Sequence, residues 1–257
     1  MRQRRIAIAS HKGGAGKTTT AVNLAAGLVR QARRVVLIDL DPAAGATSWL
    51  LGSSPDGHSR NIADVFGKRS DLAAALSRTP IADLSLVAGS PYLAGEVRKL
   101  ERQQRGETTL RAALLKGFPD RRVDYVIIDC PAEAIGILTM NALAAASEVL
   151  VPVTLDPLGL KALLALMASV EAMQAINRPL RVSGILPFRL KPTRLARESL
   201  AELHARFPGR LLNPIRETVR AAEAALHGRS IYDHAPKSTA AADFLTLTET
   251  LIAQEAA

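Results

Sequence analysis

A short stretch near the N-terminus carries residues whose types and spacing could bind phosphate. An apolar run over residues 6–9 ends at Ser10, a glycine-rich turn follows, and Lys17 opens a segment with helical periodicity. This order predicts a strand, a loop and the N-terminus of a helix, where unpaired N–H groups and the helix dipole favour an anion. We therefore expect a phosphate site between this strand and this helix.

The side chains of the loop indicate which phosphate ligand it takes. Glycines allow the loop N–H groups to converge on an anion, while Lys17 would reach the β- and γ-phosphates of a nucleotide and the Thr18 hydroxyl would hold Mg²⁺. A glycine-rich turn with a solvated lysine is the alternative, and the combination of these features disfavours it. The expected nucleotide-binding residues are Gly13, Gly14, Ala15, Gly16, Lys17, Thr18 and Thr19.

Two later apolar runs end in carboxylates. Residues 35–38 lead into Asp39 and Asp41, and residues 125–128 lead into Asp129. Continuous apolar runs are typical of parallel strands buried on both faces, and open α/β sheets bind ligands at the carboxyl ends of such strands. Asp129 thus has the position of an acid that holds Mg²⁺. Asp41 could take part in catalysis or cap a helix. Because it follows Lys17 within one strand-helix-strand unit, we favour the catalytic role.

The rest of the chain alternates between strand and helix patterns. This alternation predicts an α/β fold with a doubly wound, mainly parallel sheet and helices on both faces. A length of 257 residues with 48% hydrophobic residues fits one domain over residues 1–257. Residues 43–59 are expected to form a mobile segment that responds to the γ-phosphate. Further strands are predicted over residues 84–90, 148–153, 182–188 and 211–215, and helices over 47–51, 91–104, 137–146, 158–176, 194–207, 219–227 and 240–253, with two short helical patterns in 61–77.

The charge of the chain is concentrated in one segment. The net charge is +9, and residues 178–229 hold eleven Lys or Arg against four Glu, a net charge of +7. The single cysteine, Cys130, excludes an internal disulfide and is expected to be a packing residue. The most apolar later stretch is interrupted by polar residues and a proline, so a membrane span is not expected.

The loop departs from the usual pattern Gly-x-x-x-x-Gly-Lys-[Ser/Thr] at two positions. His11 stands at the first glycine, and Lys12 directly precedes the glycines. The stretch Lys-Gly-Gly-Ala-Gly-Lys-Thr-Thr resembles the deviant Walker A motif of the ParA/MinD family of P-loop ATPases, and is most similar to small ParA (Soj-like) members. The resemblance implies ATP and Mg²⁺ as cofactors and an ATP-dependent homodimer, in which Lys12 reaches the partner's nucleotide. A plain surface lysine is the alternative for Lys12.

The resemblance extends beyond the P-loop and implies further roles. The stretch from Asp39 to Gly45 resembles the family's second motif, in which Asp41 positions or activates the hydrolytic water and Asp39 lies near Mg²⁺. The expected catalytic residues are therefore Lys12, Lys17 and Asp41, and the expected metal-binding residues are Thr18, Asp39 and Asp129. The segments 219–224 and 232–238 also resemble family signatures, although Ile215-Arg216-Glu217 and Ala132 replace Ile-Pro-Arg and a second proline.

In the family, an arginine matching Arg220 contributes to nonspecific DNA binding by the ATP dimer. The resemblance therefore implies a cytoplasmic, nucleoid-associated ATPase without membrane contact, released by a ParB-like or other stimulating protein, which positions a plasmid, a chromosome or a protein cargo. Solvating or intramolecular charges are the alternative for the basic segment. The residues expected to bind DNA are Arg189, Lys191, Arg194, Arg197, Arg216 and Arg220.

Another function class stays open. A metabolic or metal-linked ATPase with the same P-loop, without DNA binding, would share most of these motifs. The single cysteine disfavours the version that carries a bridged metal cluster, which needs two cysteines per chain. A basic, membrane-targeting C-terminal helix is not expected either, since residues 246–257 contain two Glu and no Lys or Arg.

Overall fold

The computed structural model describes residues 3–52, 60–118, 122–132 and 136–255. Within them, eight strands form one sheet: β1 (Arg4–Ile8), β2 (Val35–Asp39), β3 (Leu76–Arg78), β4 (Leu84–Val87), β5 (Tyr125–Asp129), β6 (Glu148–Thr154), β7 (Arg181–Leu190) and β8 (Ile215–Arg216). Their order is β3-β4-β2-β5-β1-β6-β7-β8, and each neighbouring pair is parallel apart from the antiparallel pair β3 and β4.

Helices cover both faces of this sheet, as the sequence predicts. They are α1 (Lys17–Arg30), α2 (Gly45–Leu51), α3 (Ile62–Phe66), α4 (Leu93–Arg102), α5 (Thr109–Lys116), α6 (Ile137–Ala145), α7 (Pro157–Gln174), α8 (Arg194–Arg206), α9 (Arg220–Leu226), α10 (Ile231–His234) and α11 (Thr239–Ala253), with a 3₁₀ turn at Gly106–Thr108. None of these helices combines the length and apolar composition that a membrane crossing requires.

The sheet separates two hydrophobic cores. Successive side chains of a strand point to opposite faces, so in β2 Val36 and Ile38 enter the core under α3 to α8, while Val35 and Leu37 enter the core under α1, α2 and α9 to α11. Both faces of the central strands are therefore buried. This burial explains why the central strands read as continuous apolar runs in the sequence.

Several boundaries differ from the sequence-based expectations. The second helical pattern in residues 61–77 was wrong, because a turn and the antiparallel edge strand β3 follow α3 there. The expected edge strand 211–215 is reduced to the two residues of β8, with Leu211 forming only a single bridge to Ile185. Helices α5 and α10 were not anticipated. The expected mobile segment extends into residues 53–59, which lie outside the described residues.

A buried asparagine fixes the connection between α4 and α5. The Asn141 carboxamide on α6 accepts a hydrogen bond from the Leu110 N–H at 3.0 Å. It donates to the Gly106 and Ile137 carbonyls at 3.0 and 2.9 Å. The Gly106 carbonyl also accepts from Thr109, so the buried Leu110 N–H is the group that depends on Asn141 for its partner. Through these bonds the Asn141 side chain holds the turn before α5 against α6.

We predict that Asn141→Ala lowers the free energy of unfolding by about 2 kcal/mol, because it leaves the buried Leu110 N–H without its partner. Urea unfolding followed by circular dichroism measures this change. Thr246→Ala serves as the control, since its hydroxyl bonds only within α11, and it should change stability by less than about 0.5 kcal/mol. A loss below about 1 kcal/mol for Asn141→Ala would contradict the assigned role.

Candidate active site

The ends of three adjacent strands bring the sequence-predicted residues together. In the sheet, β5 lies between β1 and β2, and Asp129 is in register with both Ile8 and Asp39. The loop that follows β1 therefore starts beside the two carboxylates. Since parallel strands end at the same edge, the topology places the loop, Asp39 and Asp129 at one place.

The loop adopts the backbone geometry that its glycines allow. Gly14 has a φ angle of 71° and Gly16 one of 90°, values that glycine adopts far more readily than other residues. A Cβ on Gly16 would also lie 2.3 Å from the Phe188 ring, whereas Cβ atoms on Gly13 and Gly14 would meet open space. The Phe188 ring thus packs against the loop at Gly16, whereas the loop is open at Gly13 and Gly14, where a phosphate could enter.

Lys17 begins α1 and is almost fully buried. Its side chain is 6% exposed, and Nζ donates a hydrogen bond to the Lys12 carbonyl at 3.2 Å. Burial lowers the pKa of the Lys17 ammonium, and the negative charge of Asp129 opposes that effect. A buried ammonium at the N-terminus of a helix is suited to a phosphate that enters the loop.

Asp129 is buried and its carboxylate lacks hydrogen-bond donors. Neither oxygen accepts a hydrogen bond from a described residue, although the Thr18 hydroxyl lies near enough to lower the pKa of this carboxyl. Burial and, next, the charge of Asp39 raise the pKa of Asp129 well above its usual value. Orphaned carboxylate oxygens beside a threonine hydroxyl are oxygen ligands of the kind Mg²⁺ prefers, directly or through water. Thr18 and Asp129 therefore fit a magnesium site.

Asp39 is also buried, but its oxygens are occupied. It accepts hydrogen bonds from the Asp41 N–H at 3.1 Å, from the Thr47 N–H at 2.9 Å and from the Thr47 hydroxyl at 2.8 Å. The Gly89 N–H in turn donates to that hydroxyl at 2.7 Å. Burial raises the pKa of Asp39 to about 6. In this structure Asp39 fixes the segment from β2 to α2, and its charge lies close to Asp129.

Asp41 is partly exposed at the mouth of the site. One of its carboxylate oxygens accepts a hydrogen bond from the Ala43 N–H at 2.9 Å, which shapes the turn before α2. Ala44 follows in a left-handed conformation with φ 52°, and a Cβ on Gly45 would lie 3.5 Å from the Thr18 side chain. The segment of Asp41 therefore packs beside the P-loop helix, and both a turn-forming and a catalytic role suit this position.

The Lys12 side chain is held by contacts with the end of β6 and the start of α7. Its ammonium donates to the Thr154 hydroxyl at 2.8 Å and forms an ion pair with Asp156 at 2.6 Å. The other Asp156 oxygen accepts from the Gly159 N–H and caps α7. The side chains of Lys12 and Asp156 are 25% and 35% exposed, so the pair contributes about 1 kcal/mol or less. Lys12 can leave this position at small cost.

Sequence reasoning missed the residues that hold these groups in place. Thr154 ends the strand β6, Asp156 follows it and Thr47 lies in α2, so no motif connects them with Lys12 or Asp39. The signals available were an Asp-Pro pair after an apolar strand, which is typical of a helix start, and a threonine after the Asp39 motif. His11 also carries a ring nitrogen, Nε2, that is buried without a hydrogen-bond partner among the described residues.

The basic residues of the sequence segment are all exposed. The pairing of β7 with β8 aligns Leu190 with Arg216, which brings the end of β7 beside the start of the segment that leads to α9. Arg189 lies within β7 rather than after it, at a bulge where its φ angle is 59°; bulges of this kind redirect a side chain. The six exposed cations are Arg189, Lys191, Arg194, Arg197, Arg216 and Arg220.

Four of these six cations have an acidic neighbour. Arg216 forms the shortest pair, with Asp243 at 2.6 Å. Arg189 and Arg197 form no ion pair with any residue that the structure describes. Because exposed ion pairs are weak, the paired cations can still exchange partners. The remaining pairs are Arg194 with Glu198 at 2.7 Å, Arg220 with Glu223 at 2.9 Å and Lys191 with Glu217 at 3.4 Å.

The sequence is similar to that of known ATPases over almost its whole length. The family model described as an AAA domain matches residues 3–182. The chromosome-partitioning ATPase Soj of Thermus thermophilus is 37% identical over 254 residues, which cover 98% of this chain and 96% of that protein. The sporulation initiation inhibitor protein Soj of Bacillus subtilis is 34% identical over 251 residues, which cover 96% of this chain and 98% of that protein.

Solved structures share the fold. Cobyrinic acid a,c-diamide synthase from Mycobacterium smegmatis, with bound ATP analog and magnesium, has a TM-score of 0.83 at 31% identity and covers 98% of this chain and 95% of its own. A variant of Cyanothece McdA in complex with ATP has a TM-score of 0.85 at 23% identity, covers 97% of this chain and 96% of its own, and supports the fold alone. With the P-loop, its second lysine and the strand-end carboxylates, these similarities show that the chain belongs to the ParA/MinD family of P-loop ATPases.

Proposed function

We propose that this chain is a partitioning ATPase. It dimerises when it binds ATP, the dimer binds DNA without sequence preference, and hydrolysis releases it. Repeated binding and release segregate or position a plasmid, a chromosome or a protein cargo. The observation that carries the proposal is the second P-loop lysine, Lys12, which lies next to the nucleotide site and is held there by the Thr154 hydroxyl and by a weak, partly exposed ion pair with Asp156.

The nucleotide would lie in the loop from Gly13 to Thr19. The Lys17 ammonium and the loop N–H groups would bind its phosphates, and Thr18 and Asp129 would hold Mg²⁺. Bound Mg²⁺ neutralises charge that develops on the phosphates. The buried Lys17 and the orphaned carboxylate of Asp129 support this assignment, because each buried charge gains the partner that the described residues do not supply.

Dimerisation would use Lys12. To reach a partner subunit's phosphates, Lys12 must break its contacts with Thr154 and Asp156. Charge-assisted hydrogen bonds to phosphate are stronger than a partly exposed ion pair. Two ATP molecules in a dimer would therefore draw Lys12 away from Asp156, and hydrolysis would return it.

Hydrolysis would depend on Asp41. Its carboxylate lies at the partly exposed mouth of the site, where it could orient a water molecule or accept its proton. The neighbouring Asp39 fixes the Asp41 backbone through its hydrogen bond. A stimulating, ParB-like protein would act on this step and set the rate at which the dimer leaves DNA.

DNA binding would use the six exposed cations that the sequence predicts for it, from Arg189 to Arg220, which lie in and after β7, in α8, in β8 and at the start of α9. Their phosphate contacts would give affinity without sequence specificity, and a dimer would double their number. Arg189 and Arg197, which form no ion pair with the described residues, are expected to contribute first. Such binding would associate the ATP dimer with the nucleoid.

A metabolic ATPase is the second candidate function. The likeness to cobyrinic acid a,c-diamide synthase at 31% identity favours it, while the higher identity to a chromosome-partitioning Soj favours partitioning. The two functions differ in their need for DNA. DNA binding that requires ATP would discriminate between them.

We predict that Asp41→Asn binds ATP with near wild-type affinity but hydrolyses it at least about a hundredfold more slowly. Asparagine keeps the oxygen that accepts the Ala43 N–H, so the turn is preserved while the carboxylate is lost. Phosphate release under single-turnover conditions measures the rate. Normal hydrolysis by this variant would assign Asp41 to the turn alone.

We predict that Arg189→Ala/Arg197→Ala weakens DNA binding and reduces the salt dependence of the binding constant by about two ions per subunit. The dimer mass in ATP should be unchanged. The matched control is Lys161→Ala/Arg178→Ala, which removes two exposed cations elsewhere. Equal loss in the control, or salt-insensitive binding, would show that the cations near β7 serve only as solvating charges.

A further inference from the structure

A second concave, basic surface lies apart from the P-loop. It is a cleft of about 550 Å³ between the turn after α3 and the connection from α4 to α5. It shares no residue with the P-loop, the strand-end carboxylates or the cations near β7. Its walls carry five cations and one acid: Arg60, Lys68, Arg69, Arg105, Lys116 and Asp71.

Two of these cations have no charged partner. Lys68 and Arg105 form no ion pair within the described ranges of the chain. Among the described residues, the Arg60 guanidinium reaches the Arg69 carbonyl at 3.5 Å and no acid. Three cations without an acidic partner in the described part of the chain thus line the cleft, and a cleft lined mainly by one sign of charge concentrates counter-ions.

The other two cations differ in how firmly they are held. Lys116 lies 3.2 Å from Asp71, but these side chains are 73% and 67% exposed, so the pair is weak. Arg69 pairs with Asp64 and with the buried Glu96, both at 3.0 Å. Arg69 therefore stabilises the wall, whereas Lys116 can turn to a ligand.

Hydrogen bonds and close packing fix the backbone of both walls, so the segments that carry the cations are held in place without a ligand. On one side, Asn141 fixes Gly106, where an added Cβ would lie 2.0 Å from the Leu100 carbonyl. On the other, the Arg69 and Ser70 N–H groups donate to the Asp64 carbonyl. A preorganised site loses little entropy when it binds.

The backbone at both unpaired cations adopts a conformation suited to glycine. The φ angles are 58° at Lys68 and 60° at Arg105, in the left-handed region that side chains with a Cβ adopt only at a cost. A long cationic side chain therefore stands at two positions where glycine would be easier. Both residues lie shortly after the ends of α3 and α4, where helices commonly finish in this conformation, and glycine would be tolerated at either position.

The size and chemistry of the cleft select a small phosphorylated ligand. Small-molecule sites are clefts of roughly 300–1,000 Å³, and this one adds the amide donors of Gln103 and Gln104 to its cations. A DNA duplex presents its phosphates on a convex surface. The exposed cations between Arg189 and Arg220 therefore suit a duplex better than this cleft does. We propose that the cleft binds a compact anion with two or more phosphate groups, in addition to the nucleotide in the P-loop.

Titration calorimetry with inorganic pyrophosphate tests this proposal in full-length chains whose P-loop is disabled by Lys17→Ala. We expect one bound pyrophosphate per chain. Adding Lys68→Gly/Arg105→Gly should weaken its affinity at least tenfold without lowering Tm, because glycine suits both backbone positions. Adding Lys161→Ala/Arg178→Ala instead should change the affinity less than twofold.

The wild-type chain gives an independent measurement that does not rely on Lys17→Ala. It should bind two pyrophosphates, and Lys68→Gly/Arg105→Gly should reduce this number to one. Unchanged binding in the glycine variant would overturn the proposal. Displacement of the cleft pyrophosphate by an equal concentration of tetraglutamate or of a short DNA duplex would also overturn it, in favour of an acidic segment or of nucleic acid.

Discussion

Unpaired buried charge at the carboxyl ends of β1, β2 and β5 is the constraint on which the site depends. Burying an ion is costly unless it finds a partner. Asp39 finds three hydrogen-bond donors in Asp41 and Thr47, whereas Asp129 finds none among the described residues and Lys17 finds one carbonyl. A phosphate bound together with a divalent cation would satisfy both groups, so ligand binding and stability of the folded chain are linked.

The same constraint connects the nucleotide to the rest of the molecule. Asp39 joins the Asp41 turn to Thr47, and Thr47 joins α2 to Gly89 after β4. On the other side of the loop, Lys12 joins the P-loop to Asp156 at the start of α7. A ligand bound in the P-loop would thus affect two segments. One is the turn that carries Asp41, the proposed catalytic carboxylate, and the other is the start of α7, which holds Lys12.

The sequence predicted the elements whose signals are local. The run from Ile6 to Thr18 indicates strand, loop and helix within a single short stretch, and the apolar runs before Asp39 and Asp129 indicate buried parallel strands. Edge strand β3 has only three residues and no alternation, so its assignment depends on its antiparallel partner β4. The contact of Lys12 with Asp156 joins residues 144 apart, and that of Arg216 with Asp243 joins residues 27 apart. Such contacts depend on the order of the strands in the sheet. A sequence pattern within one segment does not carry that information.

In the proposed mechanism, Lys12 is the residue through which ATP controls dimerisation. Light scattering coupled to size exclusion, with ATP and Mg²⁺ in an Asp41→Asn background, measures this role without interference from hydrolysis. We expect a dimer for Asp41→Asn and a monomer with unchanged ATP affinity for Asp41→Asn/Lys12→Ala. A dimer that persists without the Lys12 ammonium would contradict the proposed mechanism.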